Sequence, residues 1–129
     1  MKIKLSSIYV DDQDRALAFY TNVLGFVART DVSQGPYRWL TVASAEEPDG
    51  TELQLAPSDN PAAKAYQQAI LQQSQPAANF YTTDLQADYD RLAGRGVSFT
   101  VPLTRADWGS MAVLDDTCGN LIQLTQPAW

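Results

Sequence analysis

The chain has 129 residues, of which 45% are hydrophobic, 19% charged and 10% aromatic, the balance of a single globular domain with enough apolar material for a core. It contains no histidine and one cysteine, which excludes imidazole catalysis, histidine metal ligation, an intrachain disulfide and a thiolate cluster. A formal net charge of -6 repels phosphate backbones and anionic lipids, so neither nucleic acid nor a membrane is expected as a partner.

Met1 leads directly into an alternating, β-branched strand over Ile3 to Val10, with no apolar signal-peptide core. Together with the lone Cys118, this points to a reducing, cytoplasmic setting. Asp11, Asp12 and Asp14 can cap and charge a helix N-terminus. Ala16, Phe19, Tyr20 and Val23 then form one apolar stripe at helical spacing, and Gly25 ends it. Strands are expected over Phe26 to Thr30, Tyr37 to Ala43 and Glu52 to Ala56, separated by turns at Ser33-Gln34-Gly35-Pro36 and Pro48-Asp49-Gly50. Asp59-Asn60-Pro61 starts a connecting helix that runs to Gln73.

The same order then repeats. Ala78 to Thr83 is a strand, Asp84 a cap, and Leu85, Tyr89 and Leu92 a helical stripe stopped by Gly94 and Gly96. Val97 to Val101 is a strand, the stretch up to Gly109 is irregular, and Ser110 to Leu114 and Leu121 to Thr125 are the last two strands. Gly50-Thr51-Glu52-Leu53-Gln54-Leu55 matches Gly119-Asn120-Leu121-Ile122-Gln123-Leu124. The chain is therefore divided into a first module at 1–57, a connecting helix at 58–76 and a second module at 77–129 of one domain.

The run Val10-Asp11-Asp12-Gln13-Asp14-Arg15-Ala16-Leu17-Ala18-Phe19-Tyr20, followed by Val23-Leu24-Gly25-Phe26, resembles the signature of the vicinal oxygen chelate superfamily, which includes glyoxalase I, bleomycin-resistance proteins and extradiol dioxygenases. The turn Asp116-Thr117-Cys118-Gly119-Asn120 is similar to that family's Asp-Pro-Asp-Gly-Asn turn. The resemblance implies an α+β fold of two βαβββ modules forming a curled mixed sheet around a cavity, and it implies a homodimer. Its enzymes hold a divalent metal on two histidines and two glutamates. The matching positions here are Leu5, seven residues before Asp12, Ala78, six residues before Asp84, and Gln54 and Gln123. Leucine and alanine cannot bind a metal and neutral amides bind one weakly, so neither metal nor other cofactor is expected.

Strand parity places Ser7 and Tyr9 on the face of Leu5, and Phe80 and Thr82 on that of Ala78. Tyr37, Trp39 and Thr41 share a face, and Trp108 with Ser110 stands at the mouth of another strand. The expected pocket is aromatic and mildly polar, with Ser7, Tyr9, Trp39, Gln54, Phe80, Trp108 and Gln123 as ligand contacts. Alternating aromatics also serve as ordinary core. Three readings follow: a metal-free protein binding a small aromatic or cationic organic molecule; a lyase or dioxygenase-like enzyme with Glu52 as general base and the glutamines orienting a carbonyl; or an interaction module with its cavity packed shut.

Overall fold

The structure, a computed structural model, describes all residues from Met1 to Trp129. The chain forms two compact units, Met1–Gln67 and Gln68–Trp129.

Unit 1 contains β1 (Leu5–Val10), α1 (Gln13–Ala18), β2 (Val27–Gln34), β3 (Tyr37–Ala43) and β4 (Glu52–Pro57), followed by α2 (Pro61–Gln72), within which the unit boundary falls. The capping assignment holds: the Asp12 carboxylate accepts from the Arg15 N–H at 3.0 Å. The expected continuous helix differs, because α1 passes at Phe19 into a π-helical turn over Phe19–Val23, with the Leu24 N–H reaching back to the Phe19 carbonyl. The wider turn lets two adjacent aromatics be buried together, with Phe19 edge-on to Tyr20 and Tyr20 stacked on Phe26.

The sheet order is β1-β4-β3-β2. β1 runs parallel to β4 and the other neighbours are antiparallel. A bulge between Ala28 and Thr30 bends the β2–β3 ribbon. The face covered by α1 follows from Arg38, which shares its side of β3 with Leu40 and Val42 and binds Asp14 of α1 at 2.6 Å. Ile8, Val10, Leu40, Val42 and Leu55 form the core on that side, against Ala16, Phe19 and Tyr20.

Arg38 also forks onto Asp31 of β2, with Nε and Nη2 each 2.8 Å from a carboxylate oxygen. This hydrogen bond holds the Asp31 carboxyl below its ordinary value of 3.8, against an opposing effect of burial and with a lesser lowering by the guanidinium charge. A depressed carboxylate stabilises the fold above its unfolded pKa, and that contribution disappears as pH falls through the folded pKa. Arg38→Gln is therefore expected to flatten the fall in stability below about pH 4.5, by less than about 1 kcal/mol because solvent reaches both side chains. Urea midpoints of both proteins between pH 5 and pH 3 check this; parallel pH curves would contradict it.

Unit 2 repeats the topology with β5 (Ala78–Tyr81), α3 (Leu85–Gly94), β6 (Phe99–Ala106), β7 (Gly109–Asp115) and β8 (Leu121–Pro127), in the sheet order β5-β8-β7-β6. Asp84 caps α3 through the Ala87 N–H at 3.1 Å. The stretch after Val101, expected to be irregular, is the second half of β6, which passes through Pro102 with register shifts on either side of Val101. Proline is tolerated because β6 is an edge strand, where one missing donor breaks no central ladder. Trp108 consequently sits in the Asp107-Trp108 turn of a hairpin, whose flanking residues Ala106 and Gly109 pair.

Candidate functional site

In unit 1 the strand register turns one set of side chains away from α1. Ser7 lies opposite Gln54, and Gln54 opposite Thr41. Leu5 and Ala43 flank Glu52 one strand period away, and Trp39 and Tyr37 continue the row on β3. On β2, Thr30, Val32 and Gln34 stand opposite Thr41, Trp39 and Tyr37.

Gln54 is the polar centre of this face. Only 6% of its surface is exposed, so both ends of its amide need partners. Ser7 Oγ donates to its Oε1 at 2.8 Å, and its Nε2 donates to the Tyr37 hydroxyl, also at 2.8 Å. A buried amide is thereby linked to a tyrosine that is 44% exposed. Beside this chain, the fully buried Thr41 donates to Glu52 Oε1 at 2.6 Å and accepts from the Thr30 N–H at 3.2 Å. Tyr9, Trp39 and Leu5 complete the face, each more than a third exposed. The arrangement offers rings to stack on, a positioned hydroxyl and a half-buried carboxylate.

The donors do not fit a divalent cation. Leu5 has no donor, Gln54 offers a neutral amide already engaged by Ser7 and Tyr37, and one oxygen of Glu52 is committed to Thr41. Nowhere in the chain do three His, Cys, Asp or Glu side chains group to hold a metal ion.

Unit 2 corrects one register. Ala78 and Phe80 pair with Ile122 and Leu124, whereas Gln123 pairs with Asn79. The side carrying Ala78 and Phe80 is the one against α3: Ala78 faces Ile122, Ile122 faces Leu114, Leu114 faces Phe99, and Phe99 meets Tyr89 of α3 with ring centroids 4.3 Å apart. Phe80 is thus one residue out of step with Gln123 and points to the opposite side of β5. The equivalent of Leu5 is Ala77, seven residues before Asp84, just as Leu5 is seven before Asp12. Applying the first module's spacing to the second would have found this from sequence. Alanine stands at either position, so the expectation about ligand types is unaffected.

The group gathered around Gln123 is one that sequence reasoning missed. Its Nε2 donates to Thr125 Oγ1 at 3.1 Å, and that hydroxyl donates to Asn79 Oδ1 at 2.8 Å. The cluster is neutral. Trp108 lies at its hairpin turn, with its carbonyl accepting from the Ala128 N–H at 2.9 Å.

Three comparisons place these features among known proteins. The family model for the Glyoxalase/Bleomycin resistance protein/Dioxygenase superfamily matches residues 2–124. The uncharacterized protein YurT of Bacillus subtilis (strain 168) is 50% identical over 126 residues, covering 98% of this chain and 99% of that protein. Among solved structures, UcmS2 superposes with a TM-score of 0.85 at 32% identity, covering 97% of each chain. TnmS3, described as an antibiotic binding protein from Streptomyces sp. CB03234, superposes with a TM-score of 0.78 at 30% identity, covering 99% of this chain and 97% of its own.

Proposed function

Because this chain belongs to the Glyoxalase/Bleomycin resistance protein/Dioxygenase superfamily, we propose that it is a metal-independent binding protein that takes a small organic molecule against the face of unit 1 turned away from α1. The observation that carries this is the coupling of the buried Gln54 amide to the exposed Tyr37 ring, with Tyr9 and Trp39 also exposed on that face. Buried amides that serve only packing are satisfied inside the core, whereas this one fixes a side chain that solvent reaches. The antibiotic-binding description of TnmS3 supports the same reading, and fold alone would not, since one fold carries many activities.

On this reading Tyr9, Trp39 and Tyr37 supply stacking surface, and Ser7 and Gln54 hold the Tyr37 hydroxyl in place. The protein acts in the cytoplasm and pairs with a second copy; the exposed Tyr66, Leu71, Trp108 and Trp129 offer apolar surface for that contact. No helix is long and apolar enough to cross a membrane.

The test is a thermal-shift screen of aromatic natural products and antibiotics in excess EDTA, repeated with Trp39→Ala. A ligand at a hundredfold its Kd contributes about 2.7 kcal/mol, a rise in Tm on the order of 10 °C for a chain of this size. The expected result is such a shift without metal, reduced by at least half in Trp39→Ala. Shifts that require a divalent metal, or that are indifferent to Trp39, would contradict the proposal.

A further inference from the structure

Resting on that reading of the face, we propose that its ligand is an elongated organic cation, with an aromatic end over Trp39 and a protonated amine at Glu52. Among the positions that the strand register turns to this face, Glu52 is the only charged one. Its Oε1 accepts from Thr41 at 2.6 Å, which fixes the carboxylate and leaves Oε2 uncommitted. It has no ion pair.

The cations of unit 1 that lie near in sequence or register are used elsewhere. Arg38 is on the α1 side with Asp31 and Asp14, Arg29 pairs with Asp49 at 3.3 Å, and Lys4 Nζ donates to the Asp49 and Gly50 carbonyls at 2.9 and 3.3 Å. A half-buried carboxylate without a counter-charge, on a face otherwise apolar, aromatic or neutral, favours a cation over a neutral or anionic ligand.

The register also sets the length. Glu52 lies opposite Ala43, and Trp39 is four residues further along β3, which is about 13 Å of extended strand. Side chains leaning toward one another shorten that span, but a ring on Trp39 and an ammonium on Glu52 cannot belong to one compact group. Gln54 lies in the middle, opposite Thr41, and the hydroxyl of Tyr37, which reaches back to it from beyond Trp39, is available to a polar atom of the linker. Unit 2 offers no such selection, because its matching cluster of Gln123, Thr125 and Asn79 is neutral.

Three probes test this: 4-(naphthalen-2-yl)butan-1-amine, the corresponding butan-1-ol, and naphthalen-2-ylmethanamine, titrated by NMR at pH 7 and physiological salt into wild type, Glu52→Gln and Trp39→Ala. Glutamine at position 52 keeps an oxygen to accept from Thr41, so the fold is retained. The long amine is expected to bind about tenfold or more tighter than the alcohol and the short amine. Glu52→Gln should erase that preference while leaving the alcohol unchanged, and Trp39→Ala should weaken both long probes. A preference that persists in Glu52→Gln would assign it to the general negative charge and overturn the inference. Equal binding of long amine and alcohol, both weakened by Trp39→Ala, would overturn the cation and leave the binding face standing. Binding of the long probes that ignores Trp39, or no binding by any probe, would overturn both.

Discussion

Asp116→Ala is expected to destabilise the protein by about 3–5 kcal/mol. Asp116 is fully buried in the turn between β7 and β8. Its Oδ1 accepts from the Cys118 and Asn120 N–H groups at 2.7 and 3.0 Å, and its Oδ2 from Asn120 Nδ2 at 2.8 Å. Removing the carboxylate strands several buried donors at once, each at the full cost of its desolvation. The same bonds hold Thr117 and Gly119 at φ values of 65° and 94°, conformations that the turn must keep to start β8 in register. Asp116→Asn retains one oxygen for the two backbone donors but sets an amide NH₂ against that of Asn120, so about half the loss is expected. Urea unfolding at constant m-value measures both; an Asp116→Ala midpoint within error of wild type would refute the role assigned to the turn.

Gly109→Ala is expected to cost about 3 kcal/mol for a different reason. Gly109 opens β7 at φ 143°, and a Cβ built there would overlap the Gln126 carbonyl oxygen and fall 2.9 Å from Pro127 Cα and 3.0 Å from Ala128 N. These are backbone atoms of β8 and of the residue that follows it, so no flexible side chain can move aside. Gly94, at the end of α3, is the internal control: its Cβ would meet nothing within 4 Å. Gly94→Ala should be neutral or stabilising by up to about 1 kcal/mol. Equal effects of the two substitutions in thermal unfolding would show that the Gly109 contact is not tight.

The parts of this fold that could be read from sequence are those set by local chemistry. Asp12 and Asp84 announce their helices because a carboxylate can satisfy orphan N–H groups only at an N-terminus. β3 has the expected bounds, since Gly35-Pro36 forces a turn at one end and alternation marks the rest. The second half of β6 was not legible, because Pro102 argues against a strand unless the strand is known to be at an edge. The π-helical turn escaped for a similar reason: its spacing differs from an α-helix by one residue over a single turn.

The candidate site divides in the same way. Ser7, Gln54 and Trp39 share a face as period-two alternation requires. That Tyr37 reaches back to Gln54, four positions along from its opposite residue Thr41, depends on side-chain direction and strand bending. The misplacement of Phe80 and Ala78 came from counting six residues back from Asp84, where the first module counts seven from Asp12 to Leu5. One residue of error in a strand moves every side chain to the other face.

The most direct test of metal-independent binding on the unit 1 face is side-chain NMR of the protein in EDTA, titrated with a ligand selected by thermal shift. With three tryptophans in the chain, the indole signals can be assigned by substitution. The account predicts that the Trp39 indole N–H and the Gln54 amide signals shift with the ligand's own Kd, while the Trp129 indole stays in place. Binding that leaves Trp39 and Gln54 unmoved, or that appears only after a divalent metal is added, would contradict it.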